Sequence, residues 1–461
     1  MKDKLLERRD LILKGNLWKA IFILAVPVAI NDFVRSMYNL IDTFFVSNIG
    51  SMEIAAITFV GPLNNIIRAI SLGMSVAGTN LIAREIGRKD YNKAKNIAMQ
   101  LFTVAVFIGI IITIVCFSFS KEILFAASAT ESIMSIANLY FRLTVLSSPF
   151  IFINSAYIAI KSANGDTLRS MNVNLVAMAI KIVLTYILIF KFNMGIKSLA
   201  ISTIIGTMFT SCYAVYDVFI RKTVMKLSFK LLKLSKQVII PLFLIGIPII
   251  IEKSSVAFSF IVVNKYVISF GEKVLAGYGI TNRINSLFFS AVAGFGTGLA
   301  PIISQNLGAG QEKRAKESIK KTYLMALVIS CAVISIVLPF KYSLAAVFSN
   351  GDSAVLYHTV NAISVYSISV IPWAIFQVTS GIFQGTGHTK YNMFISIMRI
   401  YCFRLPLIII FTKFTHMSEY SIWYGMLLSN ILTGFFAMGL YYINCKNLRL
   451  IGDHYLQKEC I

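Results

Sequence analysis

Twelve apolar stretches of roughly 20 residues or more follow one another along this chain, each separated from the next by a short polar connector. They lie at 17–46, 55–82, 97–119, 133–158, 171–190, 196–220, 238–269, 275–303, 321–341, 355–383, 393–412 and 421–443. A helix of that length crosses the hydrocarbon core of a bilayer. Lipid offers no water to an open backbone, so helix is the form these stretches must take. Short connectors make successive helices antiparallel neighbours and leave no room for a soluble catalytic domain. Charged residues are 14% of the 461, against roughly 25% in soluble domains, too few to coat two or three soluble cores. A soluble enzyme, a disordered chain and a secreted disulfide scaffold are excluded. The expected fold is an all-α integral membrane protein with twelve transmembrane helices.

The net charge of +23 comes from basic clusters between the apolar runs. Placing the N-terminus in the cytoplasm puts 27 Lys and Arg in the loops of that side and 6 in the loops of the other. This is the positive-inside bias, and it predicts a multi-pass protein with both termini cytoplasmic. The basic loops face anionic headgroups, so the charge needs no nucleic-acid partner. The six cysteines show no CxxC spacing and the four histidines are isolated, so no metal site or cofactor is expected.

The first half repeats in the second. At an offset of 221, Pro27 falls on Pro248, Gly50 on Gly271, Ala55 on Ala276, Asn64 on Asn285, Gly73 on Gly294, Gly87 on Gly308 and Ala94 on Ala315. At 222, Gly165 falls on Gly387 and Thr167 on Thr389. Six spans per repeat is an even number, so the halves share one orientation, as in transporters whose parallel repeats flank a central site. The expected units are an N-lobe at 1–220 (spans 1–6), a cytoplasmic linker at 221–237, a C-lobe at 238–443 (spans 7–12) and a cytoplasmic tail at 444–461.

Ten cations remain in spans or at their edges: Lys19, Arg35, Arg68, Arg142, Lys181, Lys253, Lys265, Arg283, Arg399 and Arg404. Three carboxylates lie well inside spans: Asp32, Asp42 and Glu252. An ionisable group at mid-membrane costs several kcal/mol unless it meets water or a partner, so each is a functional candidate. Lys19, Arg142, Lys265 and Arg283 lie near span ends or at unknown depth, and snorkelling is the reading preferred for them. In span 1, Asp32, Arg35, Asn39 and Asp42 follow at steps of three, four and three, which makes one helical stripe. Asp32 and Arg35 neutralise each other across a turn, leaving Asp42 as the unpaired acid. Pro27 permits a bend upstream. Lys181 and Thr185 share a face of span 5, and Glu252 and Lys253 follow Pro248 by one turn. Arg399 and Arg404 stand about 140° apart on an α-helix, so only one need face a cavity. The small-residue runs at Gly294–Gly298 and Gly381–Gly385 are read as close helix packing. No GxxxxGK[ST] motif supplies ATP drive.

The stretch Tyr38-Asn-Leu-Ile-Asp42-Thr-Phe-Phe-Val46, with Gly50 and Ala55-Ala56, resembles the first span of MATE (multidrug and toxic compound extrusion) transporters. Leu275-Ala-Gly-Tyr-Gly-Ile280, Gln305-Asn-Leu-Gly-Ala-Gly310 and Gly385-Thr-Gly-His-Thr-Lys390 are similar to later segments of the prokaryotic DinF-like branch of that family. The resemblance covers nearly the whole chain. It implies a monomeric V-shaped transporter of two six-helix lobes in a prokaryotic cytoplasmic membrane, exporting organic cations in exchange for H⁺ or Na⁺. In that branch the N-lobe ion site uses an aspartate of span 1, an asparagine of span 4, an asparagine and an aspartate of span 5, and a threonine of span 6. Asp42, Asn154 and Thr203 match the first, second and last. Lys181 stands where the span-5 asparagine is expected and Thr185 where the aspartate is expected. One carboxylate is lost and one ammonium gained, which weighs against Na⁺ and for H⁺. If the spans pack as in the family, Lys181 lies near Asp42. The remaining candidates, Asp32, Arg35, Asn39, Glu252, Arg399 and Arg404, are expected to line the substrate cavity.

Two activities stay open at this point. One is an ion-coupled multidrug exporter. The other is a flippase for lipid-linked saccharides or other anionic lipid-like substrates, which the excess of intramembrane cations suits. An intramembrane enzyme has no metal cluster or GxSxG elbow to support it.

Overall fold

A computed structural model describes residues 2–47, 51–127, 129–221, 224–228, 234–349 and 351–444. Gly50, the tail from 445 onward, parts of the 221–237 linker and the side chain of Asn39 lie outside what is described.

Among the described residues the chain is helical, with no strand. Eleven helices are long and apolar enough to cross a membrane, and a bent pair makes the twelfth. They are span 1 (Leu17–Ser47), span 2 (Ser51–Gly87), span 3 (Tyr91–Ser118), span 5 (Thr167–Phe190) and span 6 (Lys197–Val215, running on as a π-helix over Tyr216–Ile220). Span 4 is broken into Glu131–Val145 and Ser148–Ala163, bent by 43°. In the second half come span 7 (Lys236–Ile268), span 8 (Glu272–Gly308) and span 9 (Glu312–Val337). Span 10 runs from Ser353 to Thr386 through a 3₁₀ turn at Ser367–Ser369. Span 11 is Thr389–Phe414 with a π-helical centre at Met398–Arg404, and span 12 is Tyr420–Asn444. A polar helix, Lys2–Leu13, precedes them.

The repeat is visible in the element bounds. Spans 2 and 8 both have 37 residues and both ends are offset by 221. They outrun the stretches read from hydropathy, because their last turns are buried in protein rather than lipid. Arg84 and Glu85 are fully enclosed there, with Arg84 Nε 3.2 Å from Glu85 Oε1.

Spans 1, 2, 7 and 8 stitch the halves together. Span 1 packs along span 8 and span 7 along span 2. Glycines make the approach possible. A Cβ on Gly294 or Gly298 would collide with the backbone of Ala29 or Ala25 in span 1. Gly87 leaves no space beside the Gln305 carbonyl, and its repeat partner Gly308 leaves none beside the Arg84 carbonyl. Small residues at helix crossings gain packing where the hydrophobic effect is silent. The packing reading of the Gly294–Gly298 run holds, and so does that of Gly381, which abuts Gly296.

This end of the molecule is closed. Asn80 Nδ2 donates to the carbonyls of Gln384 (2.9 Å) and Gly385 (2.7 Å), and Gln305 Nε2 donates to the Ala163 carbonyl at 2.6 Å. The leading helix lies across the seam. Arg9 donates to the carbonyls of Ile86 and Gly87, and Arg314 donates back to Ile12 and Gly15. Asp217, fully buried, gathers Lys161, Arg169 and Arg221 at the same end.

Candidate functional site

The polar stripe of span 1 meets span 5 along one seam. Lys181 Nζ lies 2.7 Å from Asp42 Oδ2. The Lys181 side chain is 4% exposed and that of Asp42 25%. Asp42 is therefore a paired acid, which corrects its reading as the unpaired member of the stripe. The sequence order hid this because the partner sits 139 residues away. Arg68 of span 2 and Tyr140 of span 4 come within electrostatic range of Asp42, so one carboxylate faces two cations.

Thr185 is buried and donates to Ser202 Oγ of span 6 at 2.7 Å. Thr203 donates to the Leu199 carbonyl of its own helix at 2.7 Å. Asn154 goes elsewhere: its Nδ2 lies 3.3 Å from Asn174 Oδ1, and Asn174 Nδ2 lies 3.2 Å from Asn31 Oδ1. Asn31 and Asn174 were not singled out by sequence reading. The signal was available, since Asn31 precedes Asp42 by eleven residues and Asn174 precedes Lys181 by seven. Each is a near-whole number of turns and so the same helix face. Spans 1 and 5 therefore join at two levels, one amide and one ionic, with Asn154 on the amide level.

Asp32 Oδ1 and Arg35 Nη2 pair at 3.0 Å, as their spacing predicted, with side chains 24% and 57% exposed. Glu252 pairs with its neighbour Lys253 at 2.7 Å. Of the other cations, Lys19, Lys265 and Arg283 are exposed, and Arg142 donates to the Phe117 carbonyl and Ser120 Oγ.

Span 11 departs from its sequence reading. The 140° separation of Arg399 and Arg404 holds for an α-helix. Met398–Arg404 is π-helical, and its i→i+5 bonding brings residues five apart onto one side. Both guanidiniums are buried in the C-lobe. Arg399 lies over the rings of Trp373 (4.9 Å) and Phe376 (5.3 Å). Arg404 donates to Ser429 Oγ at 3.2 Å and Asn430 Oδ1 at 3.0 Å. No group of three or more His, Cys, Asp or Glu is placed to hold a metal ion among the described residues.

Twelve helices in two parallel repeats, with ionisable groups buried between the spans of each half, define a membrane transporter and not an enzyme. The chain belongs to the MATE family: the MatE model matches residues 27–187 and again 248–410. The two matches begin 221 residues apart, the offset of the internal repeat. The chain is 23% identical to the probable multidrug resistance protein YoeA of Bacillus subtilis, over 89% of this chain and 90% of that one. It is 24% identical to the multidrug export protein MepA of Staphylococcus aureus strain NCTC 8325, over 82% and 83%. Among solved structures it superposes on an outward-facing multidrug resistance MATE family transporter of the MOP superfamily with a TM-score of 0.91, at 22% identity, covering 95% and 98% of the two chains.

Proposed function

We propose that this protein is a secondary active multidrug exporter that takes up H⁺ in exchange for its substrate. The relatives named for multidrug resistance and export support the export reading. The observation that carries H⁺ is the 2.7 Å pair of Lys181 and Asp42. An alkali cation needs several oxygen ligands. Here an ammonium occupies the carboxylate, and Thr185 stands where a second carboxylate is expected. Protonating Asp42 removes the counter-ion of an ammonium that is almost wholly enclosed. That costs several kcal/mol in a low-dielectric interior, enough to bias spans 1 and 5 toward another arrangement. Pro27 lies four turns before Asp42 and gives span 1 a place to bend. Asn154 joins spans 4 and 5 at the amide level beside it, and the N-lobe (1–220) carries the site.

The closed end carries the basic loops, which supports a state open to the outside with both termini cytoplasmic. Organic cations are the class implied by the resemblance, and Asp32, partly exposed beside Arg35, is the acid proposed to meet them. A flippase for anionic lipid-like substrates is the second reading, favoured by the two buried guanidiniums of span 11.

The test is transport in proteoliposomes. A pH gradient without Na⁺ should drive accumulation of ethidium. Equal transport on a Na⁺ gradient at symmetric pH would overturn H⁺ coupling. Flipping of a labelled lipid-linked saccharide without ethidium transport would favour the second reading.

A further inference from the structure

The C-lobe holds two buried positive charges with no ion-pair partner among the described residues. Arg399 is 4% exposed and Arg404 is 7% exposed. Among the described residues, neither has a carboxylate within salt-bridge distance. Glu252 is the acid within electrostatic range of Arg399, but Lys253 already holds it at 2.7 Å. Arg404 spends two donors on the neutral oxygens of Ser429 and Asn430. Arg399 makes no hydrogen bond among the described residues: Trp373 and Phe376 cover its face, and its Nε is buried without a partner. Two further donors, Nε1 of the Trp373 under Arg399 and Nδ2 of the Asn430 bonded to Arg404, are likewise buried and unpartnered.

A buried guanidinium without a counter-ion is costly, and buried N–H groups without acceptors add to that cost. A folded chain rarely tolerates three buried, unpartnered donors around two unpaired guanidiniums unless something else completes them. The missing group must accept from a planar fork and carry negative charge. Carboxylates and phosphates do both. Trp373 and Phe376 hold the guanidinium by its face and add an apolar surface beside it. The π-helical turn is what sets both arginines on one side, a distortion that recurs at ligand sites.

We infer that the C-lobe cluster of Arg399, Arg404, Trp373, Asn430 and Ser429 binds an oxyanion, a carboxylate or phosphate carried on an aromatic or apolar body. The inference rests on the transporter reading and names the substrate group that this lobe takes, in addition to any cationic group met by Asp32. Its source is either a soluble organic anion or a lipid headgroup.

The experiment is equilibrium binding to the whole protein in phosphatidylcholine nanodiscs, with 1-naphthoate and 1-naphthyl phosphate as probes and 1-naphthamide as the uncharged control. Both anions should bind at least tenfold more tightly than the amide. Arg399→Gln and Arg404→Gln should abolish that preference, and Arg399→Lys should weaken the phosphate probe while leaving measurable binding. Arg283→Gln should change nothing. Equal binding of anion and amide by the unmodified protein would overturn the site without any variant having to fold. So would full anion preference in monodisperse Arg399→Gln. Repeating the titration in phosphatidylglycerol nanodiscs separates the sources: competition assigns the site to a headgroup, and unchanged binding assigns it to a soluble anion. Asp42→Asn should retain probe binding. Loss of H⁺-driven transport with binding intact would therefore leave this site standing.

Discussion

Lys181 and Asp42 form an ion pair at 2.7 Å between two parallel spans, and the ammonium side of it has almost no access to solvent. The carboxylate side is the one a proton can reach. Asp42→Asn should therefore abolish exchange while leaving the protein in the membrane. Ethidium efflux by that variant should fall at least tenfold at equal expression. The variant should also melt earlier, because an enclosed ammonium that loses its carboxylate costs about 3 kcal/mol, reduced by the partial exposure of Asp42. Wild-type efflux by Asp42→Asn would show that the pair is only structural.

The ion is set by what stands opposite that carboxylate. Lys181→Asn with Thr185→Asp restores an amide and a second acid to span 5 and takes away the ammonium. Transport by this double variant should become dependent on Na⁺, whereas that of the unmodified protein should be indifferent to it. Lys181→Ala alone should lose coupling. Full activity of Lys181→Ala in a pH gradient would contradict the proposed role.

Gly308 sits against the Arg84 carbonyl with no space for a side chain. Gly308→Leu should keep the two halves apart at this end and hold the transporter away from the closed arrangement. Disulfide crosslinking of cysteines placed across the seam at positions 84 and 308 cannot report on this variant, so the readout is labelling of Asn80→Cys, which is buried in the unmodified protein. Labelling should rise severalfold with Gly308→Leu. No change would show that the seam tolerates a side chain.

Orientation follows from the basic loops. In a cysteine-free background, Lys226→Cys should be protected from an impermeant maleimide on intact cells, and Tyr342→Cys should react. Tyr342 is 63% exposed, so a lack of reaction there would mean the map is inverted rather than hidden.

The spans were legible because bilayer thickness dictates length and because twelve apolar runs have no other way to satisfy their backbones. The repeat was legible in Pro27, Gly87 and their partners, since steric requirements leave particular residue types at particular offsets. The pairing of Lys181 with Asp42 was legible only through the resemblance, because spacing within a helix says nothing about which helix comes to meet it. Asn154 shows the same limit from the other side. The resemblance grouped it with Asp42, yet its amide is taken by Asn174 one level away. Arg399 and Arg404 were misread for a different reason. The π-helical turn between them changes the angular count, and no residue type in Met398–Arg404 announces it.

The reciprocal glycine seam also bears on how far the two halves are free to diverge. Gly87 and Gly308 meet each other's helices by the same steric rule, so neither copy can change there without the other half yielding. Away from the seam no such rule applies. One copy carries an ammonium bound to a carboxylate, and the other carries two buried guanidiniums, one on aromatic rings and one on a hydroxyl and an amide. A duplicated chain joined this way is free to specialise, one half toward an energy source and the other toward a cargo, while a shared hinge keeps both in step.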